Sequence, residues 1–170
     1  KVPVLVHDGR IVTEAAAICA YLADAFPQAG LAPAPPDRAD YYRWLFFAAG
    51  PLEQAVTNNA LGVTVPEDRR GMVGYGSFDG TIDTLDAFLT GRDYVTGNGF
   101  SAADVYLGSH VVWGLQFGSI PARPSFAAYR DRLTEVPGKT VCERGNCAPA
   151  RTYYSDPPGA ATLLRPTTLR

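Results

Sequence analysis

Several features that would assign a protein to a special class are missing from this 170-residue sequence. No apolar run approaches the roughly 18 residues that a membrane-spanning helix needs, so we expect no membrane partner. A formal net charge of -2 gives no reason to expect nucleic acid as a partner. The chain has three cysteines, an odd number, at Cys19, Cys142 and Cys147. This favours reduced thiols in a cytoplasmic protein over a disulfide framework, and no second ligand pair points to a metal site.

The sequence contains enough apolar residues for a sizeable core, because 46% of the chain is hydrophobic. Its length fits one domain, or a small domain followed by a larger one. The chain opens on Lys1 and passes at once into the apolar run Val2 to Val6. Since a mature protein rarely begins inside a strand, we expect that further sequence precedes Lys1.

The first residues predict a hairpin followed by a helix. Two short apolar runs flank Asp8-Gly9, which is a strong signal for a tight turn between antiparallel strands. From Thr13 the apolar residues change to the three-and-four spacing of one helical face. Thr13 is the expected N-cap, and Pro27 is expected to end the helix. A unit this small needs further structure to pack against.

The middle of the chain predicts helices joined by short breaks. Residues 28–36 have the Gly and Pro content of a linker. Asp37 then opens a long helical pattern, in which Gly50-Pro51 predicts a kink. A second pattern runs from Phe78 to Leu89, although the glycines before it obscure where that helix begins.

The segment 101–117 predicts a central helix. Ser101 and Asp104 have the spacing of a capping box, and Phe100 with Val105 has that of a hydrophobic staple. Apolar residues occur nearly all round the helix, which predicts burial on several sides and a core position for Trp113. One more helix is expected at about 125–134. Residues 136–170 show no apolar period, and we predict a disordered or irregular tail.

Two motifs in this order resemble the glutathione S-transferase family. The first consists of Val2-Pro3, Asp8-Gly9 and Thr13-Glu14-Ala15; the second is Phe100-Ser101-Ala102-Ala103-Asp104. The resemblance covers about residues 1–135 and implies an α+β, mostly α fold. Residues 1–30 would be the last part of a thioredoxin-like domain, and 37–135 an all-helical domain.

The resemblance also implies where glutathione binds. The Val2–Pro3 bond would be cis, with the Val2 backbone pairing with the cysteinyl part of glutathione. Glu14 and Ala15 would hold the γ-glutamyl end. Many family members have Ser at position 15, so Ala15 implies weaker binding by about one hydrogen bond, roughly 0.5–1.5 kcal/mol. The structural alternatives are a trans Pro3 on an edge strand and a Glu14 that only complements the helix dipole.

The helix that follows the linker lines the cleft for the hydrophobic second substrate in this family. This implies that Tyr41, Trp44 and Phe47 lie there, while the alternative places the aromatics of this helix, Tyr42 and Phe46 included, mostly in the core. No catalytic residue is assigned in this chain, because the Tyr, Ser or Cys that activates the thiol in the family lies upstream of the position of Lys1. We therefore expect little conjugating activity from the chain as given.

Three interpretations of the function remain open. The first is an enzyme that conjugates glutathione to small electrophiles, in detoxification, as a homodimer when intact. The second is a non-catalytic binding or interaction module, which Ala15 and the lack of an activating residue favour. The third is a decayed or mis-framed gene product, which the abrupt change in composition after Glu135 would fit.

Overall fold

A computed structural model describes residues 2–97 and 99–135, together with the backbone of 162–163. A short sheet and one helix are followed by a group of helices. The elements are β1 (Val4–His7), β2 (Arg10–Thr13), α1 (Ala15–Ala25), α2 (Ala39–Phe47), a π-helical turn (Ala48–Leu52), α3 (Glu53–Ala60), α4 (Phe78–Leu89), α5 (Ala102–Phe117), α6 (Pro124–Thr134) and β3 (Thr162–Leu163).

The predicted hairpin is present. β1 and β2 pair antiparallel, with Val4 opposite Thr13 and His7 opposite Arg10. Asp8 and Gly9 have φ values of 50° and 73°, and two positive φ angles are what the tightest hairpin turns require. β3 pairs antiparallel with the other side of β1. Apart from β3, the tail predicted over 136–170 lies outside the described residues.

Helix α1 begins one residue later than the sequence predicts. Its N-cap is Glu14, so the expectation of a Thr13 cap is wrong. Thr13 is the last residue of β2 and stays in the hairpin ladder opposite Val4. The chain therefore passes from strand to helix at a single residue, Glu14. Pro27 follows the helix closely and starts a 3-10 turn, as a proline that cannot continue a helix should.

The helical pattern predicted from Asp37 is one run of helix with a wide turn inside it. α2 and α3 are joined through the π-helical turn that contains Pro51. Proline has no amide hydrogen and its ring collides with the preceding helical turn, so a local widening accommodates it. The interruption predicted at Gly50-Pro51 is therefore present. α2 packs mainly against α5, whereas α3 packs against α4.

The core lies among α2, α4, α5 and α6. The Trp44 ring stacks on Phe88 with centroids 3.7 Å apart, which joins α2 to α4. Gly108 lies where α5 meets α6, and any side chain there would collide with Leu133. The largest fully buried side chains are Trp44, Tyr41, Tyr129, Phe126, Leu5, Leu52, Ile82, Leu85, Leu107, Leu133, Val95 and Val111.

The predicted capping box is present at the start of α5 and is tied into the core. Oδ2 of Asp104 accepts hydrogen bonds from the amide and the hydroxyl of Ser101, each at 2.8 Å. Oδ1 accepts from the amide of Val95 and the hydroxyl of Tyr129, also at 2.8 Å. Asp104 is 1% exposed, and burial raises its pKa although all four hydrogen bonds act to lower it. One carboxylate thus joins α5, α6 and the loop before α5.

Burial on α5 is less complete than its apolar composition predicts. Trp113 is 48% exposed, so its predicted core position is wrong, and Val105 and Phe117 are exposed as well. Tyr42 and Phe46 of α2 are also exposed, so the expectation of a core position fails for them. Apolar periodicity identified these helices but did not show which sides other elements cover.

Candidate functional site

The junction between β2 and α1 has an unusual backbone. Glu14 has φ 65° and ψ 116°, a conformation that residues with a side chain seldom adopt. The first hydrogen bond of the helix runs from the Ile18 amide to the Glu14 carbonyl at 2.9 Å. No side chain caps this terminus and no acidic residue lies in the first turn. The junction thus combines an exposed carboxylate with first-turn amides that the helix itself does not use.

The Val2–Pro3 peptide bond is cis, as the family resemblance implied. Both residues are exposed and directly precede β1. β1 is in turn fixed against α1, because Nδ1 of His7 and the hydroxyl of Tyr21 share a hydrogen bond of 2.8 Å. The imidazole also contacts the ring of Phe26, with centroids 5.4 Å apart. The strand after Pro3 and the helix after Glu14 are therefore held together as one unit.

A polar cluster lies on α3 and α5, beside the start of α1. The Tyr106 hydroxyl donates to Oε2 of Glu53 at 3.5 Å, and the rings of Tyr106 and His110 make an edge contact with centroids 4.9 Å apart. Burial, followed by the charge and hydrogen bond of Glu53, raises the pKa of Tyr106 to about 12. The charge of Glu14 acts in the same direction, which places Tyr106 near the junction. Burial lowers the pKa of His110.

The sequence pattern does not predict this cluster. Tyr106 and His110 are four residues apart, which puts them on one face of α5, and that spacing was the available signal. Glu53 lies far away in the sequence and is brought to them by the packing of the helices. A contact between residues so far apart in the sequence leaves no local sequence pattern that could predict it.

The predicted second-substrate residues are mostly inside the protein. Tyr41 and Trp44 are each 1% exposed, which supports the core alternative for these two aromatics. Phe47 is half-buried and contacts Trp44, with ring centroids 4.8 Å apart. The Tyr41 hydroxyl and the Trp44 indole nitrogen have no hydrogen-bond partner. Burial is the main reason that the pKa of Tyr41 rises to about 12.

Cysteine and metal chemistry find little support in the described residues. Cys19 is half-buried on α1, and burial raises the pKa of its thiol, which keeps the thiol protonated at neutral pH. Cys142 and Cys147 lie outside the described residues. Within 2–97 and 99–135, no three His, Cys, Asp or Glu side chains come together as metal ligands. No helix in that same part of the chain is long and apolar enough to cross a membrane.

A cavity of about 500 Å³ lies elsewhere, between the end of α4 and the start of α6. Its lining includes Arg92, Asp93, Ser125 and Arg132, none of which is a predicted site residue. The two arginines are engaged: Arg132 pairs with Asp93 at 3.1 Å and Arg92 with Asp40 at 3.4 Å. The cavity therefore offers no unpaired charge for a ligand.

Comparison with known proteins identifies the family. Residues 1–30 match the sequence model of the glutathione S-transferase N-terminal domain. A sphingomonad glutathione S-transferase solved with glutathione is 33% identical, with 81% of this chain and 69% of that chain covered and a TM-score of 0.61. A glutathione transferase from Methylococcus capsulatus is 27% identical, with coverages of 81% and 69% and a TM-score of 0.63. Protein LigF from Sphingobium sp. strain SYK-6 is 27% identical over 81% of this chain and 71% of its own length.

The chain belongs to the glutathione S-transferase family. The predicted fold class is confirmed, since a partial thioredoxin-like unit of strands and helix precedes an all-helical part. The boundaries predicted for these parts, and the roles predicted for Val2, Pro3, Glu14 and Ala15, stay predictions.

Proposed function

We propose that this chain binds glutathione at the junction of β2 and α1 as part of a glutathione-conjugating enzyme. The observation that carries the proposal is the backbone of Glu14. A residue held at φ 65° and ψ 116° costs about 1–3 kcal/mol, and such strain persists where a site requires it. Here the strain presents an exposed carboxylate beside an uncapped helix terminus.

The chemistry of this junction suits the γ-glutamyl end of glutathione. That group carries an ammonium and a carboxylate on one carbon. First-turn amides and the positive end of the helix dipole attract a carboxylate, while the Glu14 side chain can receive the ammonium. Ala15 supplies its amide but no hydroxyl. In this proposal the exposed Val2 backbone pairs with the cysteinyl part. The related sphingomonad glutathione S-transferase, which was solved with glutathione, supports glutathione as the ligand.

The binding is tested with the purified chain on immobilised glutathione and by calorimetry. We expect retention, elution by free glutathione, and at least about tenfold weaker binding in Glu14→Ala, since a charge-assisted contact is lost. Glu14→Gln should fall between the two, and Glu67→Ala, on an exposed 3-10 turn, serves as the control. The melting temperature should change by no more than a few degrees. If Glu14→Ala binds glutathione as tightly as the parent chain, the proposed site is wrong.

Conjugation is the second step of the proposal, with a small electrophile as co-substrate and, in the intact protein, a homodimeric cytoplasmic detoxification enzyme. The alternative is a binding module that holds glutathione without reacting it, and Ala15 favours this alternative. Incubation with glutathione and an aromatic halide separates the two. We expect the chain alone to react at the uncatalysed rate, and a version fused to a strand–helix–strand unit that carries an activating Tyr, Ser or Cys to react faster. Binding without turnover in both versions would favour the module.

A further inference from the structure

The polar cluster of Tyr106, Glu53 and His110 contains a hydroxyl and a carboxylate whose direct hydrogen bond is long. A hydroxyl that donates to a carboxylate usually lies within about 2.5–2.7 Å of it. The Tyr106 and Glu53 oxygens are 3.5 Å apart, so their direct bond is weak. Glu53 is exposed and Tyr106 is half-buried, and both are therefore accessible from solvent.

The cluster also offers a ligand one hydrogen-bond donor and one hydrogen-bond acceptor. With a pKa of about 12, Tyr106 remains a neutral donor throughout the physiological range. The Glu53 carboxylate can only accept. The edge contact with His110 holds the Tyr106 ring, and burial keeps that imidazole neutral by lowering its pKa. A ligand hydroxyl can donate to Glu53 and accept from Tyr106 at once, whereas an ether or ketone can only accept and a carboxylate is repelled.

The position relative to glutathione follows from the proposed function, on which this inference rests. Glu14 is the N-cap of α1, and α1 packs against α5, the helix that carries Tyr106. The γ-glutamyl link runs through the side chain, so the sulfur of an extended glutathione lies at most roughly 9 Å from the α carbon of the γ-glutamyl end bound at Glu14. A group attached to that sulfur can therefore reach α3 and α5.

We propose that Tyr106 and Glu53 form a hydroxyl-recognition site for the group transferred to glutathione, and that this site selects electrophiles bearing an alcohol or phenol. Tyr106 and Glu53 are specificity-determining residues in this scheme, and His110 is a positioning residue. No bond is made or broken by the cluster itself.

The test compares the binding of glutathione conjugates to the full chain by calorimetry. The probes are S-methylglutathione, S-benzylglutathione and the ortho, meta and para isomers of S-(hydroxybenzyl)glutathione. We expect at least one hydroxybenzyl isomer to bind about fivefold more tightly than S-benzylglutathione. That advantage should vanish in Tyr106→Phe and in Glu53→Gln, which are nearly isosteric, while S-methylglutathione should bind equally in all three proteins. Glu67→Gln is the matched surface control.

Two results separate the possible failures. If S-methylglutathione does not bind, the proposed function fails and the inference fails with it. If it binds while all three hydroxybenzyl isomers stay within twofold of S-benzylglutathione, only the hydroxyl-recognition site is overturned. An advantage that survives in either variant overturns it as well.

Discussion

Helix α5 begins at a buried capping box, whereas α1 begins at an exposed residue with a positive φ angle. At α5, the Asp104 carboxylate accepts four hydrogen bonds and is sealed from solvent. At α1, Glu14 makes no capping bond and holds a conformation that costs free energy. The first arrangement stabilises the protein at the expense of accessibility, and the second leaves polar groups accessible at the expense of stability.

The difference shows how one chain can divide structural and binding tasks. A fully satisfied polar group in the core has no capacity left for a ligand. An unsatisfied helix terminus at the surface retains that capacity because water occupies it until a ligand arrives. Helix packing between α1 and α5 then fixes the second site relative to the first. Variants at Asp104 and Glu14 test this difference directly, and variants at Gly108 and His110 test the packing and the charge of α5 between them.

The largest effect is expected at the capping box. In Asp104→Asn, an amide group replaces one oxygen and faces donors that had an acceptor, so buried groups lose their partners. We expect the free energy of unfolding to fall by about 3 kcal/mol, measured by urea denaturation. Ser101→Ala, which removes a hydroxyl but leaves the carboxylate, should cost only about 1 kcal/mol. A loss below that of Ser101→Ala would mean that Asp104 is no more stabilising than an ordinary cap.

An added methyl group at the contact between α5 and α6 is expected to destabilise the protein. In Gly108→Ala, the new methyl group would overlap the Leu133 side chain, and we expect a loss of about 1–2 kcal/mol in the free energy of unfolding. Gly50→Ala is the matched control, because a side chain there meets nothing within 4 Å. Equal stabilities for the two variants would show that the core adjusts as freely as the surface.

A substitution at the start of α1 is expected to stabilise the protein. Glycine adopts a positive φ without strain, so Glu14→Gly should raise the free energy of unfolding by about 1 kcal/mol. The same variant should bind glutathione more weakly, because the carboxylate is gone. Thermal unfolding and calorimetry on one preparation measure both. A variant that is less stable than the parent would show that Glu14 supports the fold rather than a site.

The smallest effect is a pH dependence at His110, which lies on α5 beside Tyr106 and Glu53. Burial lowers its pKa in the folded state below the ordinary value of 6.5, although the charge of Glu53 opposes this. As pH falls through 6.5, the unfolded chain takes up the proton first, and the folded state loses stability. We therefore expect the stability difference between the parent and His110→Gln to shrink on acidification. A difference that is constant from pH 8 to 5 would contradict this.

Much of the fold was predictable because its signals are local. Asp8-Gly9 specifies the hairpin turn, Pro51 interrupts a helix, and Ser101 with Asp104 starts another. These features depend on residues only a few positions apart. The family motifs around Pro3 and Glu14 are equally local, and they led to the same junction that the structure shows to be unusual.

The remainder depends on contacts between distant residues. Trp113 and Phe46 have core-like chemistry but face outwards, since no element in the described part of the chain covers them. The pairing of Glu53 with Tyr106 joins two helices whose sequences show nothing complementary. The sequence signal for the N-cap of α1 falls one residue early, at Thr13, because the pairing of Thr13 with Val4 keeps Thr13 in β2. The periodicity of apolar residues shows which residues share a face of a helix, but it does not show which other element packs against that face.

The wide turn at Pro51 lets one continuous helical run change partners halfway along. The stretch before it rests on α5 and the stretch after it rests on α4. The exchange of partners is not complete, because Trp44 before the turn still stacks on Phe88 of α4 and Glu53 after it still contacts Tyr106 of α5. A change in either half of the run is therefore transmitted to both helices.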